Sequence, residues 1–163
     1  PIPQVLATKH YPLEVDVVND LLAVLSQESW WRVEETAVEF SYSGGRTDVI
    51  GIQQDNTLIA FEAKLKDWRT AIQQAYRNSK FSTYSYVVMP LDTAQKIQHQ
   101  KREFLKRDIG LCGIDGSMMH VLISAPAKVK ISRPWVSNNA INHLLTQTTD
   151  DVERYGYTDS RNL

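Results

Sequence analysis

Only one cysteine, Cys112, occurs in the 163 residues, and this excludes an intramolecular disulfide framework. Its apolar neighbours point to a buried thiol. No apolar run approaches the ~20 residues needed to span a bilayer. The opening Pro1-Ile2-Pro3-Gln4 lacks the basic start and apolar stretch of a secretory signal. A cytoplasmic setting without a membrane partner is therefore expected. The four histidines, His10, His99, His120 and His143, are dispersed and show no zinc-ligand spacing. Walker loops, nucleotide-binding glycine motifs and serine nucleophile elbows are missing too. No repeat, low-complexity tract or composition shift marks a second domain, so residues 1–147 are read as one domain and 148–163 as a polar, mobile tail.

An excess of charge of one sign is also lacking. Eighteen Lys and Arg against 19 Asp and Glu give a net charge of −1, which speaks against a uniformly basic nucleic-acid binder. The charges are unevenly spread, however. Acids dominate from Glu14 to Glu39, whereas 64–80 and 96–107 are rich in Lys and Arg. A site that holds a metal through acids lowers net charge without removing a basic groove, so the balance decides little. Hydrophobic residues, at 42%, suffice for a full core.

Leu13 to Gln27 reads as a helix with Pro12 suited to its first turn. Val18, Leu21, Leu22 and Leu25 recur at helical spacing, and Glu14 falls on that apolar stripe. Strands are expected over Trp31 to Tyr42, Asp48 to Gln53 and Leu58 to Leu65, joined by turns at Ser43-Gly44-Gly45-Arg46 and Asp55-Asn56. Asp67 to Lys80 is helical in pattern with Asp67 as N-cap. Tyr84 to Met89 is a strand ended by Pro90, and the strand–helix–strand succession implies a right-handed crossover and parallel pairing. Asp92 to Arg107 reads as one helix capped near Asp92 or Thr93. Leu111 to Ile114 and Met118 to Ser124 flank a hairpin turn at Asp115-Gly116. A last helix covers Val136 to Gln147. The order αβββαβαββα describes an α+β domain around a mixed central sheet.

The third strand alternates clearly. Ile59, Phe61, Ala63 and Leu65 share one face; Leu58, Ala60, Glu62 and Lys64 share the other. Glu62 and Lys64 therefore leave the sheet together. Whether Asp48 joins them depends on register. A three-residue loop centred on Asp55 opposes Asp48 to Glu62, and one centred on Asn56 opposes it to Lys64. A two-residue loop opposes it to Ala63 and sends it to the wrong face. Two carboxylates converging beside an ammonium suit Mg²⁺, which prefers oxygen ligands and keeps several waters. Such a site can activate water and neutralise charge on a phosphate, so the constellation fits phosphodiester hydrolysis. Lys64 would orient or help deprotonate the water and stabilise the phosphorane.

Asp48, thirteen intervening residues, and then Glu62-Ala63-Lys64 resembles the PD-(D/E)XK nuclease superfamily. The resemblance spans Leu13 to Pro90 and implies a restriction-endonuclease-like core of order αβββαβ, its mixed sheet flanked by helices in three layers. The C-terminal helix, hairpin and helix would be added to that core. It implies a Mg²⁺-dependent nuclease, with Mn²⁺ as substitute, acting on DNA more than RNA. It also implies Asp48 and Glu62 as metal ligands and Lys64 as catalytic lysine. Glu14 matches by position an acid that the family often adds from its first helix to the metal set. Gln74 matches a supporting glutamine of the crossover helix, with Gln73 as fallback. Thr47 stands where the family name places proline. A homodimer is an option, since many relatives of this fold cut duplex DNA as dimers.

Blander readings compete with each assignment. Glu62 and Lys64 could be an incidental charge pair, Glu14 a residue favouring its helix dipole, and Gln74 an exposed helical glutamine. The basic stretch from Lys96 to Arg107 reads as a solvated face, and Trp30, Trp31, Trp68 and Trp135 as core or rim. A non-catalytic nucleic-acid-binding or assembly module, or an RNA-directed nuclease, is the alternative. Inactive versions of the fold would be expected to lose a central residue, and all three are present.

Overall fold

The computed structural model describes residues 8–155 except residue 28, with backbone alone for 29 and 148–155. Pro1-Ile2-Pro3-Gln4 lies outside the described residues. The elements run α1 (Glu14–Gln27), β1 (Val33–Tyr42), β2 (Gly45–Gln53), β3 (Leu58–Ala63), α2 (Trp68–Asn78), β4 (Tyr84–Pro90), α3 (Leu91–Ile97), α4 (Lys101–Leu105), β5 (Gly110–Asp115), β6 (Met118–Ile123) and α5 (Pro134–Tyr155). One six-stranded sheet takes them in the order β1-β2-β3-β4-β5-β6. β3–β4 and β4–β5 are parallel; the other neighbours are antiparallel. The fold is thus α+β around a mixed sheet, as the pattern of strands and crossovers implies.

Two layers of helix cover the sheet. On one face Val17, Leu21, Val24 and Leu25 of α1 pack on Val49, Ile59, Phe61, Ala63 and Val88. On the other, Val136, Ala140 and Leu144 of α5 meet Ile50, Leu58 and Ala60. Beside them Ala71, Ile72 and Ala75 of α2, with Ala94 and Phe104, cover Val87, Met89 and Leu111. The alternation of β3 is what sends Leu58 and Ala60 one way and Ile59 and Phe61 the other. No helix among the described residues is long and apolar enough to cross a membrane.

Local chemistry explains the main boundaries. Leu13 precedes α1 and its N–H donates to the Asp16 carboxylate at 3.0 Å, closing the helix start. Asp67 caps α2, accepting from the Thr70 N–H at 3.1 Å. The β1–β2 turn passes through Gly44 at φ 112°, a conformation that glycine adopts freely.

Several boundaries differ from the sequence reading. Trp31 belongs to a 3₁₀ turn, Ser29–Trp31, ahead of the first strand, and β3 ends at Ala63 rather than Leu65. The expected helix from Asp92 to Arg107 is split by a 3₁₀ turn at Gln98–Gln100. No apolar side chain lies between Ile97 and Phe104 to seat the middle turn against the core. Pro90 is its N-cap and has no side-chain cap bond. The last helix does not stop at Gln147 but continues to Tyr155. The mobile tail expected for 148–163 is therefore helical through 155, and 156–163 lie outside the described residues. Trp30 and Trp135 are exposed, while Trp31 is buried.

Candidate active site

The register of β2 and β3 is set by the loop between them. Ile52 pairs with Leu58, Ile50 with Ala60 and Val49 with Phe61. The Gln53 N–H donates to the Thr57 carbonyl at 2.9 Å, leaving Gln54, Asp55 and Asn56 as the loop. Asn56 takes φ 64° as the left-handed residue of a three-residue hairpin, and the Asp55 carboxylate accepts from the Thr57 N–H at 3.0 Å. Continued by one step, this register sets Asp48 against Glu62.

Regular pairing stops at Val49 and Phe61. Beyond it the Asp48 carboxylate turns into the gap between the strands and accepts from the Ala63 N–H at 2.9 Å. A backbone N–H on a neighbouring strand lies near the sheet plane, so this carboxylate reaches sideways towards β3 rather than only outward from a face. Across the sheet, Glu39 of β1 takes φ 53° between Val38, paired with Val49, and Phe40, paired with Thr47. Strict alternation fails there: Ala37 and Phe40, three residues apart, both join the α5-side core. Irregular strand geometry of this kind re-aims side chains beside functional sites.

Glu62 is buried at 1% exposure, and its carboxylate is in hydrogen-bonding contact with Asp48. Burial above all, and then the Asp48 charge, raises its pKa to about 8; hydrogen bonding from Asn78 and the charge of Lys64 act the other way.

Asn78, at the C-terminal end of α2, is fully buried. Its Nδ2 donates to Glu62 Oε1 at 2.7 Å. Its Oδ1 accepts from the Tyr42 and Thr47 hydroxyls, each at 2.8 Å. This network fixes one Glu62 oxygen from below. Sequence reasoning missed Asn78, Thr47 and Tyr42. A signal was present, because Asn78 continues the apolar stripe Ala71, Ala75 of α2, where a polar residue calls for a buried partner.

The other expected residues are placed as follows. Lys64 continues the parallel ladder, its N–H donating to the Val88 carbonyl at 3.1 Å. Its Nζ lies 3.4 Å from Glu14 Oε2. Glu14 does not sit buried on its helix stripe; about half of its side chain is exposed, and it meets Lys64. Glu14 and Asp48 line one groove of about 380 Å³ together with Val15, Val18, Val38 and Arg46. Among the described residues no group of three or more His, Cys, Asp or Glu gathers as a metal cluster, so Glu14 is not brought into a three-acid set. Gln74 lies four residues before Asn78 on the same face of α2, and its Oε1 is buried with no hydrogen-bond partner. Gln73 is exposed. Trp68 stacks on Phe104 at 6.3 Å.

Two carboxylates in contact, one buried, with a lysine two residues on, make a site that a hard cation would stabilise. Mg²⁺ takes one or two protein carboxylates and fills its shell with water and phosphate oxygens. The pair Asp48 and Glu62 meets that requirement.

The chain matches no protein-family model and no curated protein. A solved structure of a protein of unknown function from Silicibacter pomeroyi superposes on it with a TM-score of 0.54. The two are 15% identical, over 78% of this chain and 83% of that one. The likeness is one of fold. That α+β fold, a six-stranded mixed sheet flanked by helices, is shared with a protein that brings no activity to the comparison.

Proposed function

We propose that this chain is a metal-dependent nuclease of the PD-(D/E)XK superfamily, with a restriction-endonuclease-like core, that hydrolyses phosphodiester bonds in DNA. The contact between Asp48 and the buried Glu62, two residues before Lys64, carries the reading. A carboxylate buried beside a second carboxylate is costly without a cation. In this reading Asp48 and Glu62 hold Mg²⁺ or Mn²⁺, which supplies positive charge at the phosphate and lowers the pKa of a bound water.

The chain's own residues do the rest. Asn78 orients Glu62 Oε1, and the Ala63 N–H orients Asp48. Lys64 presents its ammonium where negative charge develops on the scissile phosphate, with Glu14 setting its position. Gln74, four residues before Asn78 on α2, is the supporting glutamine of the crossover helix in this reading. Lys66 and Arg69, both exposed after β3, are suited to contact flanking phosphates. The buried thiol of Cys112, whose pKa burial pushes well up, fits a reducing cytoplasm.

The test is a cleavage assay on plasmid, linear, branched and single-stranded DNA and on RNA, with Mg²⁺ or Mn²⁺ against EDTA. Metal-dependent cleavage lost in Asp48→Asn and Glu62→Gln is the expected result. Binding without cleavage of any substrate would leave a non-catalytic module.

A further inference from the structure

At the end of the β3–β4 ladder away from Glu62, where Ile59 pairs with Tyr84, the α1-side face opens into a cavity of about 680 Å³. That size falls within the ~300–1,000 Å³ of small-molecule sites. Its walls include four aromatic rings, Trp30, Trp31, Tyr84 and Tyr86, with Arg32 and Gln53. The inner wall is rigid: Trp31 packs edge-to-face on Tyr86 at 5.3 Å and on Phe61 at 5.4 Å. Gln53 fixes the rim, its Nε2 donating to the Trp31 carbonyl at 2.9 Å.

Trp30 stands out from this wall. It is 64% exposed, yet held at right angles to Trp31 with centroids 4.7 Å apart. A large aromatic face left in solvent and pinned by its neighbour is a platform for another flat ring. Arg32 next to it takes φ 51°, a left-handed conformation that costs a bulky residue energy and persists where the surroundings impose it. Among the described residues Arg32 forms no ion pair, and no acid lines the cavity. Arg32 and Gln53 also border an adjoining depression with Glu34 and Asp55, but neither acid lies within ion-pair distance of Arg32. Among the described residues the cavity therefore offers aromatic surface and one cation without an ion-pair partner, which suits a flat ligand carrying a negative group.

We propose that this cavity binds a nucleotide, its base stacked on Trp30 and its phosphate held by Arg32. The nucleotide can be a free mononucleotide or one unit of a single strand. This binding is independent of the carboxylate site and of metal.

The experiment is calorimetry in EDTA with adenosine, adenosine monophosphate and a short single-stranded oligoadenylate. Saturable binding of the monophosphate identifies a mononucleotide site, and binding of the strand alone identifies a strand site. In either case Trp30→Ala, at an exposed position, should weaken binding on the order of tenfold or more. Trp30→Phe should fall between. Arg32→Gln should remove most of the preference for the phosphate-bearing ligand over adenosine. Absence of binding by both the monophosphate and the strand overturns the proposal. So does unchanged affinity in Trp30→Ala, with circular dichroism confirming that the variants are folded.

Discussion

Asn78 holds Glu62 by a 2.7 Å hydrogen bond while its own carbonyl oxygen takes the hydroxyls of Tyr42 and Thr47. Three elements, β1, β2 and α2, thus converge on one carboxylate oxygen of β3. Asn78→Ala leaves a buried carboxyl and a buried Thr47 hydroxyl without their partner, which costs about 1–3 kcal/mol per unsatisfied group. A loss of unfolding free energy of that order, read from urea denaturation, is expected. Metal affinity in calorimetry should fall with it, because one oxygen of Glu62 is no longer held in place. Unchanged affinity would limit Asn78 to a structural role.

Metal-free protein should lose stability as pH rises. The folded-state pKa of Glu62, buried beside Asp48, is raised to about 8 from an ordinary 4.5. Between those values the folded state binds more protons than the unfolded one, so unfolding free energy falls with increasing pH. One proton sets the limit at about 1.4 kcal/mol per pH unit. Melting temperatures in EDTA should therefore decline from pH 5 to 8, and Glu62→Gln should flatten the decline. Added Mg²⁺ should raise the wild-type value most at the alkaline end. A flat wild-type profile would contradict the buried pair.

Lys64→Ala should lower single-turnover cleavage about 10²–10³-fold at saturating metal, the cost of one preorganised donor. Metal affinity should persist, since Asp48 and Glu62 remain. Lys64→Arg should rescue incompletely, because a planar fork cannot place a compact charge at the same point. Wild-type turnover by the alanine variant would remove the lysine from catalysis.

Glu14→Gln separates two roles. Glu14 pairs with Lys64 at 3.4 Å across a partly exposed gap, so loss of the pair should cost ~1 kcal/mol of stability or less. If its partner is Lys64, cleavage should fall by less than in Lys64→Ala, with metal affinity unchanged in calorimetry. Weakened metal binding would return Glu14 to the metal set.

The order of elements was legible in the sequence because period and turn chemistry are local. Alternation over Leu58 to Ala63, the Asp67 cap and the glycine turns each act within a few residues. The sequence also narrowed the position of Asp48 to a choice of loop register, and the left-handed Asn56 settled that choice. The pairing of Glu62 with Asn78, the turn of Asp48 towards the Ala63 N–H and the capture of Lys64 by Glu14 could not be read there. Those contacts join residues 15 to 50 positions apart. Their geometry follows from where strands diverge and helices dock, and a left-handed residue such as Glu39 leaves no mark in the hydrophobic pattern. The residue types at the site are a property of the chain; their orientation belongs to the packed sheet, where burial makes each polar group find a partner.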